Sequence, residues 1–177
     1  MNHAQFVKKI AETLHKMDDY ARNKAPKIAG KMAREFYKEN FQKEGFVNDG
    51  LQKWQEVKRR KNLPEKPSEK IADVITTPAK KSADGKKPTE KPADAVRPIL
   101  TGSSGALGRS VEFRTGDGEV LMFSNIPYAA AHNEGTTTAG CNHSVTIPQR
   151  KFMGDSKELD KLIYDEIERK LKEIARR

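Results

Sequence analysis

Cysteine is nearly absent: Cys141 is the only one in 177 residues. A single thiol closes no intramolecular disulfide and builds no thiolate-rich metal site, so the fold has to rest on burial. Long apolar runs are missing as well, since no stretch approaches the roughly 18 consecutive apolar residues of a membrane-spanning helix. The opening MNHAQFVKKIAETLHKMDD carries charges where a signal peptide has its apolar core, which argues against a classically secreted or integral membrane protein. Aromatic residues are scarce at 7%, and residues 58–98 contain none. An aromatic-free segment offers no platform for stacking bases, so any nucleic-acid contact there is diffuse and salt-sensitive.

What is abundant is charge. Lys and Arg number 34 against 25 Asp and Glu, a formal +9, with 33% charged and 35% apolar residues. The length suits one modest domain. The excess is unevenly placed: residues 58–98 hold 12 basic and 6 acidic side chains, 6 of the 9 prolines and only 10 apolar residues. That composition buries little, and the Lys66-Pro67, Lys87-Pro88 and Lys91-Pro92 pairs favour extended backbone. The expectation is a single α+β domain over 1–177, interrupted at 58–98 by a Lys/Pro-rich, flexible insertion with a short ordered turn around Ile71 to Ile75. Outside it, 22 basic and 19 acidic residues leave only +3, which weakens the case for a nucleic-acid surface on the folded body.

Periodicity supplies the elements. Phe6, Ile10, Leu14, Met17 and Ala21 fall at helical steps and predict a first helix from Ala4 to Ala21. Pro26 is either a break or the start of a second helix. In that second helix Ile28, Met32 and Phe36 form one stripe, Ala29, Ala33 and Tyr37 its neighbour, and Gly45 ends it. Val111 and Phe113, the turn Gly116-Asp117-Gly118, then Val120 and Met122 spell a β-hairpin. A third strand is expected at Ser144 to Ile147, giving a small antiparallel sheet. Asp155 reads as the N-cap of a last helix, with Glu158 reaching back and an apolar stripe from Leu159 to Ile174. This amphipathic helix is expected to pack on the sheet, or else to present its stripe to another subunit.

Candidate chemistry is thin. Gly102 to Gly108 is glycine-rich, but Arg109 and Ser110 stand where a phosphate loop needs Gly-Lys-Ser/Thr, so it reads as a flexible turn with Leu107 as a buried anchor. His132, Glu134, Cys141 and His143 form the one cluster suggesting a metal or a dyad. His132-Asn133-Glu134 matches the His-x-Glu of zinc deaminases, yet the Pro-Cys-x-x-Cys half is missing. Cys141 and His143, two residues apart, lack the geometry and the orienting carboxylate of a nucleophile pair.

The order of four short stretches is more telling: FVNDGLQKWQEVKRR (46–60), ILTGSSGALGRSVEF (99–113), IPYAAAHNEG (126–135) and IPQRKFMG (147–154). In this order they resemble the phage virion morphogenesis family, the tail-completion or neck proteins of tailed bacteriophages. The matching positions are Gly50, Trp54, Leu100, Thr101, Gly102, Leu107, Arg109, Ser110, Tyr128, Ala129, His132, Gly135, Pro148, Arg150, Phe152 and Gly154. With the last helix the resemblance covers about half of the chain. Two departures stand out: a long segment 61–98, and Asn133 and Glu134 where an amide and an aromatic residue are common.

The resemblance implies a non-enzymatic structural role in tail completion or head–tail joining, with no cofactor and no membrane. It implies other head–tail connector or tail proteins as partners, and a homo-oligomeric ring. It places the protein in the neck or tail of the virion, and in the bacterial cytoplasm during assembly. The competing reading is a basic DNA-binding accessory protein acting through 58–98; an enzyme survives only if a metal is found. Candidate structural or interface residues are Trp54, Leu107, Tyr128, His132, Arg150 and Phe152. Tyr128 and His132 share a face if 129–131 is helical, and Arg150 is suited to tie its loop to carbonyls. Both arrangements serve equally to hold the subunit together or to grip a neighbour. Trp54 is a core clasp or a binding hot spot.

Overall fold

The computed structural model describes residues 2–57, 60, 97–102 and 104–176. The turn expected around Ile71 to Ile75, and nearly all of the 58–98 segment, lie outside the described residues. The architecture is α+β: N-terminal helices, small antiparallel sheets and a C-terminal helix.

Helix α1 (His3–Asp19) opens on a capping box in which Asn2 and Gln5 exchange side-chain-to-backbone bonds. The chain then passes through a π-helical segment, Tyr20–Lys24, whose extra residue lets the Ala25 N–H reach the Tyr20 carbonyl. Helix α2 (Ala25–Lys43) follows directly, with Pro26 in its first turn, where a missing N–H costs nothing. The buried face of α2 is Pro26, Gly30, Ala33, Tyr37, Asn40 and Phe41, with Phe36 beside it. Ile28 and Met32 of the expected stripe are only half-buried. Glu44, in the left-handed region at φ 51°, ends the helix, and Gly45 opens the next strand.

Among the described residues, three separate two-stranded antiparallel ladders replace the single sheet expected. Strands β1 (Gly45–Val47) and β2 (Leu51–Lys53) pair through a tight turn. A four-residue helix α3 (Ala106–Arg109) leads into the hairpin of β3 (Val111–Thr115) and β4 (Val120–Ser124), in the register that the glycine turn dictates. After helix α4 (Ala129–Glu134), strand β5 (Thr136–Ala139) pairs with β6 (Val145–Ile147). The third strand therefore forms, but its partner is a threonine-rich run with no apolar face, and the hairpin stays a separate ladder.

Helix α5 (Lys157–Arg176) corrects two expectations. Its cap is Ser156, 2% exposed, whose Oγ accepts from the Leu159 N–H at 3.3 Å and whose carbonyl accepts from Asp160 at 3.0 Å. Glu158 instead accepts the Gly50 N–H at 3.0 Å, and the Asn48 side chain accepts the Lys157 N–H at 3.2 Å. Its first turn bonds the β1–β2 turn, Leu159 and Ile163 reach the core shared with the ladders, and α5 also packs along α1 and α2. Ser156→Ala is expected to cost about 1 kcal/mol in urea unfolding, within the range for lost N-caps. Asp155→Ala, which removes no capping bond, should leave the midpoint almost unchanged.

The core gathers Phe41, Phe46, Trp54, Leu107, Val111, Phe152 and Leu159 between α2, the ladders and the start of α5. Phe41 is its hub, with ring centroids 5.6 Å from Trp54 and 5.0 Å from Phe152.

Candidate functional site

The segment from Pro148 to Gly154 belongs to no regular element after β6, yet its backbone polar groups are bonded one after another by other parts of the chain. Arg150 N–H donates to the His132 carbonyl at 2.8 Å. The Lys151 carbonyl accepts the Trp54 indole N–H at 2.7 Å. Asn133 Oδ1 accepts both the Phe152 and the Met153 N–H, each at 3.0 Å. The Phe152 carbonyl accepts from Asn40 Nδ2 at 3.1 Å, and that of Gly154 from the Tyr37 hydroxyl at 2.9 Å. Burial and neighbouring acidic groups push the Tyr37 hydroxyl above the usual tyrosine range, burial most of all. Phe152, with no exposed surface, is the knob these bonds hold in place.

Trp54, Leu107 and Phe152 accordingly sit in the core, and Arg150 is 8% exposed. The Arg150 guanidinium donates through Nε and Nη2 to the Gln55 carbonyl, at 3.3 and 3.1 Å, tying the segment to the stretch after β2 that carries Trp54. Asn133 supplies the double acceptor. Neither Asn133 nor Asn40 was a candidate from sequence; their only signal is an amide at a helical position facing the core.

A cleft of about 280 Å³ opens beside this segment. Val57 and Ile99 line it from the two flanks of the 58–98 stretch, Leu100, Thr101, Gly102, Ser104 and Ala106 form a wall, and Tyr128, His132 and Arg150 complete it. Glu44 holds the two flanks together: it accepts the Ile99 N–H at 2.8 Å and pairs with the Arg60 guanidinium at 2.9 Å. The loop is conformationally demanding. Leu100 stands at φ 63°, with Gly102 at 54° and Gly105 at 60°. For a bulky residue such as Leu100 the left-handed region costs on the order of 1 kcal/mol or more.

Tyr128 and His132 do share a helical face, their rings meeting edge-on at 5.9 Å. Tyr128 is 48% exposed. His132 Nδ1 is buried without a hydrogen-bond partner. Burial, and secondarily the Arg150 charge, hold the His132 imidazole below the ordinary 6.5, so it is neutral at pH 7. Unfolded chains take up a proton at His132 before the native protein does, so stability is full above pH 6.5 and falls as the pH drops below it. In urea melts between pH 7 and pH 5, His132→Gln should flatten this slope. An unchanged slope would remove His132 as its source.

The suspected metal cluster is not assembled: among the described residues no three His, Cys, Asp or Glu side chains come together to hold an ion. His132 faces the cleft, whereas Cys141 is exposed and His143 Nδ1 lies 3.1 Å from the Thr138 carbonyl in the β5–β6 connection. Gly102, Ser104, Ala106 and Leu107 of the glycine-rich stretch line the cleft, and two of its backbone donors are spent internally: Gly105 on Thr101 O, Ala106 on Ser104 Oγ. Among the described residues no helix is long and apolar enough to cross a membrane.

Compared with known proteins, the chain matches the family model described as the phage virion morphogenesis family over residues 76–172. This range holds three of the four motif stretches, the cleft's Tyr128, His132 and Arg150, and most of α5; the Trp54 stretch precedes it. No curated protein and no solved structure matches the chain. With more than half of its length matched, and the motifs converging on one pinned segment, the chain belongs to the phage virion morphogenesis family.

Proposed function

We propose that this protein is a non-enzymatic structural component of the phage particle that completes the tail or joins it to the head. In this role it assembles with copies of itself, as a ring, and with neighbouring connector or tail proteins. It resides in the neck or tail of the virion and, before incorporation, in the host cytoplasm. The observation that carries this reading is the family match over 76–172, supported by what its motif residues do. Trp54, Arg150 and Phe152 spend their chemistry on holding one backbone segment, which suits a rigid building block. In the same reading the chain is a single domain interrupted by 58–98, as the clamp of Glu44 on both Arg60 and Ile99 supports.

The test is deletion of the gene from the phage genome. Filled heads and separate, unjoined tails in electron micrographs, restored to whole particles by the gene in trans, are expected. Normal particles would overturn the reading. Light scattering on the purified protein checks the ring, since a monomer at assembly concentrations contradicts self-association. The basic 58–98 stretch motivates the second reading, a DNA-binding accessory protein. Tight, salt-dependent retardation of nonspecific DNA by a monomer would favour it.

A further inference from the structure

Helix α1 is amphipathic, yet it leaves its apolar side in water. Phe6, Val7, Ile10 and Leu14 stand 50%, 50%, 44% and 60% exposed along it, and no residue of the helix is buried. Most helices in folded proteins are held by packing their apolar face, and a contiguous apolar stripe left exposed marks an interaction site. We infer that this stripe is the arm of a head-to-tail contact, seated in a second copy of this chain on the flank of α5 that carries Asp160, Tyr164 and Glu168. The contact supplies the self-association proposed above. Its closing into a ring rests on that reading, whereas the match between the two surfaces does not.

Charge selects the partner surface. Residues 3–17 carry three lysines, Lys8, Lys9 and Lys16, against one glutamate, Glu12. Lys9 and Lys16 lie on one flank of the stripe, two turns apart. Pairing α1 with α1 of a second copy about a two-fold axis sets this flank against itself, lysine on lysine, which is repulsive. A negative surface is needed, and the first half of α5 has one: residues 158–168 hold five carboxylates and a single lysine. Within it Asp160, Tyr164 and Glu168 follow one another at i, i+4 and i+8, so they form one row. Tyr164 is 66% exposed, more than any other large apolar or aromatic residue described.

Spacing matches as well. At 1.5 Å per residue, Lys9 and Lys16 are about 10.5 Å apart along their helix, and Asp160 and Glu168 about 12 Å apart along theirs. Helices lying side by side thus bring both lysines beside both carboxylates in one register. The stripe next to the lysines forms a groove of about 320 Å³, walled by Phe6, Ile10, Leu14 and Met17 with Ala175 of α5. A tyrosine standing between two carboxylates enters this groove with its ring, and Lys9 and Thr13, which also line it, meet the hydroxyl. The charges are available. Among the described residues Lys9, Lys16 and Asp160 enter no ion pair, and Glu168 pairs with Lys172 at 2.8 Å on the surface, an exchangeable contact that contributes little. Arm and receptor are different surfaces of one chain, so each copy offers one of each, and repetition closes a ring or grows a filament.

The experiment is sedimentation velocity on the full chain over a concentration series, with three double variants. The unaltered chain is expected to associate. Ile10→Gln/Leu14→Gln removes the stripe, Lys9→Glu/Lys16→Glu reverses the arm, and Asp160→Lys/Glu168→Lys reverses the receptor; each should weaken association at least about tenfold. None of these positions is buried, and unchanged Trp54 fluorescence is the sign of an intact fold. Mixing the two charge-reversed variants is the discriminating step. Each alone sets like charges together, whereas in the mixture every arm meets a receptor of opposite charge, and most of the lost tenfold should return. A chain that stays monomeric, variants that associate as the unaltered chain does, or a mixture no more associated than its parts overturns the inference. Vesicles of phosphatidylcholine and phosphatidylglycerol test the other guest of a basic amphipathic helix, and the chain is expected not to sediment with them. Vesicle binding that Ile10→Gln/Leu14→Gln abolishes, with self-association unaltered, would assign the stripe to a membrane and overturn the contact. Association through another surface removes this contact and leaves the proposed function standing; normal particles after gene deletion do the reverse.

Discussion

Phe152→Ala is expected to lower the unfolding free energy by about 3–5 kcal/mol, the cost of removing a fully buried aromatic ring together with the cavity left behind. Domains of this size are stable by about 5–15 kcal/mol, so the variant should sit near or beyond the edge of folding. Phe152 has no exposed surface, and its ring packs at 5.0 Å on Phe41, the hub of the core. Its backbone bonds to Asn133 and Asn40 presuppose that the ring is seated, because the segment crosses the core with no regular strand partner. Loss of the ring therefore loosens the bonds as well. Asn133→Ala should reproduce part of the loss, about 1–3 kcal/mol, by leaving the Phe152 and Met153 N–H groups without their acceptor. Because the two changes act on one segment, the double variant should lose less than the sum. Urea melts showing a loss below about 1 kcal/mol for Phe152→Ala would mean that the segment is not what joins α2, α4 and the Trp54 stretch.

Local chemistry explains which parts of this fold are legible in the sequence. The helical steps from Phe6 to Met17 and from Leu159 to Ile174 place α1 and α5 correctly, and Gly116-Asp117-Gly118 fixes the β3–β4 register. Those signals lie within a few residues of the structure they specify. Periodicity says less about what a face meets. The stripe of α1 is regular, yet none of its residues is buried; Phe6 and Leu14 are 50% and 60% exposed. In α2 an apolar count picks out Ile28 and Met32, whereas the buried face runs through Gly30 and Asn40, a small residue and a polar one. Strand β5 is illegible because Thr136 to Thr138 has no apolar alternation. The same limit applies to the cleft. Family resemblance marks Tyr128, His132 and Arg150 individually, but Asn40 meets Phe152 across 112 positions and Glu44 meets Ile99 across 55. No spacing rule reaches that far.

Gly30 turns that blind spot into a test in which two effects oppose each other. On helix propensity alone, Gly30→Ala in the interior of α2 should stabilise by about 1 kcal/mol. Packing says otherwise. A Cβ at Gly30 would lie 2.3 Å from Phe113 Cδ2, 2.6 Å from Cε2 and 2.7 Å from Cγ, so it would strike the side of the ring. Carbon atoms in contact prefer about 3.5–4.0 Å, so the ring has to retreat by more than an ångström. It is poorly placed to do so: Phe113 is paired with Met122 across the hairpin, and the Arg34 guanidinium lies 5.9 Å from its ring centroid. The β3–β4 hairpin as a whole leans on α2 through this contact. Overpacking costs about 1–3 kcal/mol and occasionally more, and a clash this close belongs at the upper end. The expected net result is a loss of about 2 kcal/mol, opposite in sign to the propensity effect. In a Phe113→Ala background the obstacle is gone, and Gly30→Ala should then stabilise by the propensity amount, about 1 kcal/mol. That reversal of sign, read from a double-mutant cycle of urea melts, is the discriminating outcome. If Gly30→Ala stabilises both backgrounds equally, the hairpin does not rest on α2 at this point. If it destabilises both equally, the cause lies elsewhere than the Phe113 ring.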